Sequence, residues 1–440
     1  MSRSDYDVAI LGGGLAGLSL AVRLAEPRFR HLRILIVEPR TQYRRDKTWC
    51  YWRLGPHPFE AAVTQRWTRW LVTGPGGRIE RSASGMPYEC IPADEFYELA
   101  LARIAGAPNI EMWQGIEAAP IEDCEGVCLG LPGGKRARLA FDSRRPPKLG
   151  QHGLAQRFVG REVEVSRPIF DPGCATLMDL EPAREGVHFT YVLPTSRTRA
   201  LVEDTWFAPP DAMLPCHSDA LAEWLHARRA GDCRVLFEEA GCLPMDPHFQ
   251  PARGRRLVPL GAAAGAHRPA TGYAFGTIQT QCDSIRDDVE RALAEGRMPP
   301  AGRRPAIVRG MDRALLTLLT HRPAMAPRLF PALFAHCPAH RLVRFLADRP
   351  NAGDLAAVIF ATARGLCQAT SEEPATSDVG NPSARLPALF HRLFSRRALL
   401  HGSVVEPETA VEQIQQGVHC VSEAQLMRAR NNAEKSPYPE

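Results

Sequence analysis

The sequence predicts an α/β protein built on a Rossmann-type nucleotide-binding domain, with an antiparallel β-sheet inserted into it and a helical part towards the C-terminus. Three observations predict this class. A short apolar run, residues 7–11 (DVAIL), leads into Gly12, Gly14 and Gly17 in the spacing G-x-G-x-x-G and then into a helical pattern from about residue 18. That is the order in which a buried parallel strand feeds a phosphate-binding turn and a helix. Between about residues 151 and 250, strand-like runs at 162–166, 190–193 and 200–205 read as an antiparallel sheet. From 307 to 347 the pattern turns helical, broken by Pro323, Pro327, Pro331 and Pro338. The organisation implied is a nucleotide domain from 1–150 and 251–300, a substrate sheet at 151–250, a helical cap at 301–370, and a linker, amphipathic helix and weakly ordered tail at 371–440.

Each glycine of the first motif has a separate task. Gly12 permits the tight turn, Gly14 lets the backbone approach a pyrophosphate, and Gly17 allows helix and strand to pack closely. Leu15 and Ala16 complete the helix start, whose N-terminus faces the anion. A second strand, 33–37, ends on Glu38, 21 residues beyond Gly17, where a carboxylate accepts hydrogen bonds from a ribose hydroxyl. This motif does not by itself separate FAD from NAD. A later segment, 257–281, favours FAD: a strand-like run enters a small-residue turn, Gly261 to Gly265, and then a helix, as flavoproteins of this type do against the flavin. Many FAD hydroxylases carry Gly-Asp at that turn; Gly261-Ala262 stands here instead, which argues against that branch.

The bulk numbers exclude several classes. Of the 440 residues 45% are hydrophobic and 23% charged, with a formal net charge of +5, an ordinary globular composition. Basic residues form no long run, so no nucleic-acid partner is expected. The first residues lead straight into a strand without a secretory apolar region, so a cytoplasmic location is expected. No apolar stretch reaches about 18 residues, the length a spanning helix needs. The twelve cysteines include no Cys-x-x-Cys pair, Cys124 and Cys128 coming nearest, and reduced structural thiols are expected. Histidines and acids do not fall in metal-ligand spacing, and no metal is expected; His217 and His226 are placed on a solvated surface helix.

Four segments together resemble the bacterial lycopene β-cyclase family, over about residues 6–349. They are residues 46–52 (DKTWCYW), the strand end Phe141-Asp142-Ser143-Arg144, residues 190–205 with Thr-Tyr-Val-Leu-Pro and Leu-Val-Glu-Asp-Thr, and Pro269-Ala270-Thr271-Gly272-Tyr273 preceded by Gly241-Cys242-Leu243-Pro244. Their order and approximate spacing match as well. Lys47 stands where a His often occurs and Ala270 where a Thr does.

The resemblance implies cyclisation of the ψ ends of lycopene or a related acyclic carotenoid, with no net redox change. A proton adds to a terminal double bond, a neighbouring alkene attacks the cation, and a proton leaves. Such chemistry needs an acid able to protonate an alkene, an apolar tunnel and negative charge near the cation. The family's acidic motif maps onto Glu203 and Asp204, with Glu203 the candidate general acid. Strand alternation places Glu203 on one face with Leu201 and Thr205, and Asp204 on the other, so one carboxylate reaches the substrate. FAD in its reduced form is the implied cofactor, with NADPH or NADH as reductant; Gly265, Thr271, Gly272 and Tyr273 are its expected second contact. Trp49 and Trp52 are candidate substrate contacts through their electron-rich faces. The rival readings on this scaffold are an FAD-dependent monooxygenase or prenyl-chain reductase, and a carotenoid-binding flavoprotein without turnover.

The helices at 307–347 suit either contact with a membrane surface or capping of the core, and a second basic amphipathic stretch lies at 386–400 with Arg392, Arg396 and Arg397 off its apolar stripe. Oligomeric state is not legible.

Overall fold

The first apolar run forms strand β1 (Tyr6–Leu11), whose Val8, Ile10 and Leu11 are wholly buried and contribute about 1.5–3 kcal/mol each. Helix α1 (Leu15–Leu24) starts three residues earlier than its apolar pattern suggests, because Gly14 already serves as N-cap. Then come β2 (Ile34–Glu38), β3 (Thr48–Trp52), β4 (Gln65–Trp67), β5 (Arg69–Gly74), β6 (Gly77–Ser82), β7 (Tyr88–Pro92), α2 (Ala93–Ala105) and β8 (Ile110–Gln114). Short β9 (Ile121–Glu122) and β10 (Val127–Cys128) precede β11 (Arg136–Asp142). The long strands β12 (Leu154–Val165), β13 (Cys174–Glu181), β14 (Val187–Pro194) and β15 (Arg199–Ala208) follow, then α3 (His217–Ala227), β16 (Cys233–Met245), β17 (Leu257–Pro259) and α4 (Phe275–Glu295). Helices α5 (Ala306–His321), α6 (Ala326–His336), α7 (Ala339–Leu346) and α8 (Ala352–Ser371) close the described chain. The computed structural model describes residues 4–371 except 76, 145–152, 184, 253, 300, 301 and 303; the expected amphipathic helix at 386–400 and the tail lie outside them.

Three sheets organise these elements. The nucleotide sheet has the order β8-β2-β1-β11-β10-β9, with β17 beside β11, and β8, β2, β1, β11 and β17 are mutually parallel. This is the arrangement expected when strands alternate with helices. A three-stranded antiparallel sheet, β3-β7-β4, and the largest sheet, β16-β12-β15-β14-β13-β5-β6, complete the set; the small sheet gives Tyr51 and Ile91 to the nucleotide-domain core and Trp52, Trp67 and Tyr88 to that of the largest sheet.

The largest sheet departs from expectation. It is not confined to residues 151–250: β5 and β6, from the first part of the chain, extend it, and β5 pairs parallel with β13. The run Arg69–Gly74, with Trp70 and Val72 buried, reads locally as another strand of the nucleotide domain. Its partner lies 105 residues away, Cys174 opposite Arg69, so sequence pattern did not reveal it.

Two buried arginines tie the parts together. Arg23 of α1 bonds Asp283 and Gln279 of α4, fixing the glycine turn against the later flavoprotein-like segment. Arg268 pairs with Asp312 of α5 at 2.8 Å, holding the 269–273 loop against the helical cap. The apolar residues of that cap, including Leu316, Leu319, Phe330, Phe334, Leu342 and Val343, are buried in one core with the face of the large sheet.

Candidate active site

The nucleotide cradle follows from backbone geometry. Gly12 has φ of +98°, a left-handed conformation that a side chain strains. A Cβ on Gly17 would lie 1.9 Å from the Gly12 carbonyl oxygen, so only glycine fits where helix meets turn. On Gly14, in contrast, a Cβ would meet nothing nearer than Arg40 at 3.9 Å, which leaves room for a ligand to approach the backbone. No side chain caps this end of α1, and its first turn carries no acid, so the amides of Leu15 and Ala16 open onto an anion site.

Glu38 closes the far side of this cradle. Its carboxylate accepts from the Gly13 amide at 2.5 Å and from the Arg40 amide and guanidinium at 2.9 and 2.8 Å. Burial alone would raise its pKa, but these hydrogen bonds outweigh that and hold it below the ordinary value, so it stands ionised for a ribose hydroxyl. Ser143, after β11, donates to the carbonyls of Leu11 and Gly12 and locks the turn. The second segment joins the same cradle. A Cβ on Gly261 would touch that of Ala16 at 2.4 Å, and Gly265 ends the small-residue turn in the left-handed conformation, φ +73°. The residues fit a dinucleotide lying from Glu38 across the α1 N-terminus to this turn.

Beyond the turn, Thr271, Gly272 and Tyr273 lead to a buried cluster of aromatic side chains. Gly272 (φ +71°) packs on Gln156 and Leu243 of the large sheet. Tyr273 meets Tyr88 of β7, whose hydroxyl also lies 2.9 Å from that of Tyr191 on β14. Trp52 packs against Tyr88 and Trp70. Cys50 and Cys90, cross-strand partners on β3 and β7, lie beside this cluster and, with Tyr191, near enough to Glu203 on β15 to interact with it electrostatically; Glu203 lies directly opposite Tyr191.

Glu203 is 7% exposed, and among the described residues no basic side chain pairs with it. Opposite it on β12 stands Gly160, and opposite Gly160 on β16 stands Glu239, 6% exposed. The three therefore share one sheet face, and the two carboxyls interact across the glycine. Burial, with the charge and hydrogen bond of Glu239 added, pushes the Glu203 carboxyl well above the usual range. Burial raises Glu239 too, against hydrogen bonds from Thr48 and Glu203 that lower it. Both carboxyls are thus held above the ordinary range, and the buried pair keeps a proton. Thr205 Oγ1 and Gln156 Oε1, on the same face, are buried and have no partner among the described residues.

Sequence reasoning named Glu203, Trp49 and Trp52 for the substrate side and turned Asp204 to the other face of its strand; the fold keeps Glu203 and Trp52 by the aromatic cluster and sets Trp49 apart. Asp204 points to the other side of β15, 1% exposed, where His188 Nε2 and His217 Nδ1 each lie 2.5 Å from it and Trp206 donates to it. It is a buried anchor for β14 and α3, not a second acid beside the aromatic cluster, because consecutive strand residues face opposite ways. The same alternation turns Trp49 away from Trp52: it packs edge-on against Phe96 and Tyr97 of the nucleotide-domain core. His217, expected to be solvated, starts α3 and docks on Asp204. Glu239, Tyr191, Tyr88 and Thr48 were missed as site residues. The alternation of β16 was readable, but its register against β12 was not. Among the described residues no cluster of metal-binding side chains is placed to hold an ion.

A glycine turn with a ribose-side carboxylate, followed in the fold by a buried aromatic cluster and a buried acid pair, defines the flavoenzyme architecture. The chain belongs to the lycopene cyclase family, whose model (Lycopene cyclase protein) matches residues 7–372. It is 28% identical to the lycopene beta-cyclase of Pantoea ananas over 294 residues, covering 64% of this chain and 74% of that one. To the lycopene beta-cyclase of Paracoccus sp. (strain N81106 / MBIC 01143) it is 27% identical over 385 residues, 79% of this chain and 92% of that one. Among solved structures the fold resembles a flavin-dependent brominase, with a TM-score of 0.56, 13% identity, and coverage of 84% of this chain and 100% of that one. It also resembles a geranylgeranyl bacteriochlorophyll reductase-like protein from Thermoplasma acidophilum, with a TM-score of 0.52, 13% identity, and coverage of 83% and 98%.

Proposed function

We propose that this chain is a lycopene β-cyclase that closes the ψ ends of lycopene to β-ionone rings, giving γ-carotene and β-carotene, with reduced FAD bound in the cradle. The observation that carries this reading is Glu203: a buried carboxyl, pushed above its usual range, beside a cluster of aromatic side chains. Desolvation favours the neutral acid, and a neutral acid is what an alkene requires as proton donor. Glu203 gives its proton to the terminal double bond, the neighbouring alkene closes the ring, and loss of a proton restores neutrality, so no electrons are exchanged overall. Tyr88, Tyr191, Tyr273 and Trp52 present electron-rich faces to the cation, and the packed side chains exclude the water that would trap it.

FAD would be held by the Gly12–Gly17 turn, Glu38, and the Gly265 and Thr271–Tyr273 segments. When bound and reduced, it supplies negative charge beside the aromatic cluster. NADPH or NADH is its reductant before turnover. A substrate this lipophilic is drawn from a membrane surface, so peripheral contact with a bilayer is part of the reading; among the described residues no helix is long and apolar enough to cross one.

The test is Glu203→Gln. The variant is expected to retain FAD and fold normally while turnover falls by about 10²- to 10⁴-fold, the usual contribution of a general acid. A Glu203→Gln protein that cyclises lycopene at the wild-type rate removes Glu203 from the mechanism.

A further inference from the structure

We infer that Glu239 is the residue that keeps Glu203 charged with its proton: the two carboxyls, facing each other over Gly160, hold one proton and one negative charge between them. The inference rests on the cyclase reading and assigns Glu239 a positioning role, acting through Glu203.

The geometry has three independent parts. The register puts Glu203, Gly160 and Glu239 in one row across β15, β12 and β16. The residue between them is glycine, and a Cβ there would stand 2.8 Å from Glu203 Cγ and 3.3 Å from Glu239 Cγ; any other residue would wedge the pair apart. Finally, Glu239 is held from its other side, since Thr48 donates to its Oε2 at 3.1 Å, leaving its remaining acceptor capacity for Glu203.

The surrounding charges agree with a single negative charge on the pair. Arg45 lies near Glu239 and lowers its pKa, while Asp46 raises it. Arg45 itself is bonded to Glu162 at 2.6 Å, so it does not neutralise Glu239 fully. On the Glu203 side the facing titratable groups are Cys50, Cys90 and Tyr191. Burial pushes Cys50 and Tyr191 upward, which keeps both neutral. Two buried carboxylates in contact cannot both ionise cheaply, so the first proton is retained well into the neutral range.

The arrangement adds no bond-making step. One proton is held at Glu203, given to the alkene, and balanced by the proton released at ring closure. While the proton is away, the two carboxylates place negative charge beside the cation.

The experiment is the pH dependence of kcat for wild type and Glu239→Gln, each with bound flavin verified by its absorbance. Without the neighbouring charge Glu203 loses its proton more easily, so the alkaline limb is expected to move to lower pH by about one unit or more. Glu239→Asp, which draws the charge back by one methylene, should shift it less in the same direction and serves if the Gln variant fails to fold. An alkaline limb at the wild-type pH in the folded variants overturns the inference. Infrared difference titration of the protonated carboxyl band abolished by Glu203→Gln gives a second readout that needs no turnover. That band should titrate at lower pH in Glu239→Gln, and an unchanged midpoint overturns the pairing. Wild-type protein that leaves lycopene unchanged would defeat the cyclase reading alone, while the infrared arm still decides the pair.

Discussion

Glu203 and Asp204 are consecutive in one strand, and the large sheet stands between their carboxyl groups: Glu203 lies beside the aromatic cluster, whereas Asp204 is bound on the opposite side by His188 and His217. An acidic pair that reads as one motif therefore has two roles. Glu203 is left without a basic partner among the described residues, which suits proton donation. Asp204 is saturated with donors, which suits anchoring.

This division predicts different outcomes for Asp204. Asp204→Ala leaves two histidines and the Trp206 indole without their acceptor, and should cost about 1–3 kcal/mol of stability, the usual penalty for a buried donor left unsatisfied. Asp204→Asn keeps an acceptor and should retain kcat once activity is normalised to folded protein. Thermal melts and kcat check it; an Asn variant with a normal melt and no turnover would return Asp204 to the catalytic machinery.

Gly160→Ala is expected to separate the two carboxyls. The added methyl meets Glu203 and Glu239 from the same side, so turnover should drop at least about tenfold while stability falls by about 1–3 kcal/mol, the range for overpacking. The check is kcat against melting temperature in the same preparation. Wild-type kcat would mean that the spacing of the pair does not matter.

The proton on Glu203 also links stability to pH. The folded chain binds this proton more tightly than the unfolded chain, whose glutamates titrate near about 4.3. Below that value both states hold the proton and the group makes no difference. As pH rises from there towards the raised folded value, the unfolded state releases its proton first and stability falls. Glu203→Gln should thus melt at a higher temperature than wild type at pH 8, with the gap narrowing towards pH 5. A gap independent of pH would contradict a raised carboxyl.

Gly14 and Gly17 should respond oppositely to the same substitution. Gly14→Ala places its methyl in open space and should fold within about 0.5 kcal/mol of wild type, yet retain less flavin, because the methyl stands where the backbone meets the anion. Gly17→Ala drives its methyl into the Gly12 carbonyl and should destabilise the fold itself. Flavin absorbance per chain and melting temperature separate the two effects.

Much of this was legible because it is local. The glycine turn, Glu38 at the end of β2, and the opposite facing of Glu203 and Asp204 follow from spacing and from the two-residue period of a strand. What escaped depends on pairing between distant segments. Glu239 lies 36 positions beyond Glu203 and meets it only through the register of β12 with both β15 and β16, with a bulge between Glu162 and Val163. The addition of β5 and β6 to the large sheet is of the same kind. His217 looked solvated because its helix is amphipathic and polar at its start; the buried carboxylate it docks on is set by tertiary structure.

The most direct measurement is anaerobic incubation of the purified protein with lycopene in liposomes, FAD and NADPH, with the carotenoids separated by chromatography while NADPH absorbance is followed. The account predicts a product of unchanged mass that co-elutes with β-carotene, and NADPH consumed only in proportion to flavin. A product whose mass has changed by hydrogen or oxygen, with NADPH consumed at every turnover, would contradict it and make the protein a redox enzyme on the same fold.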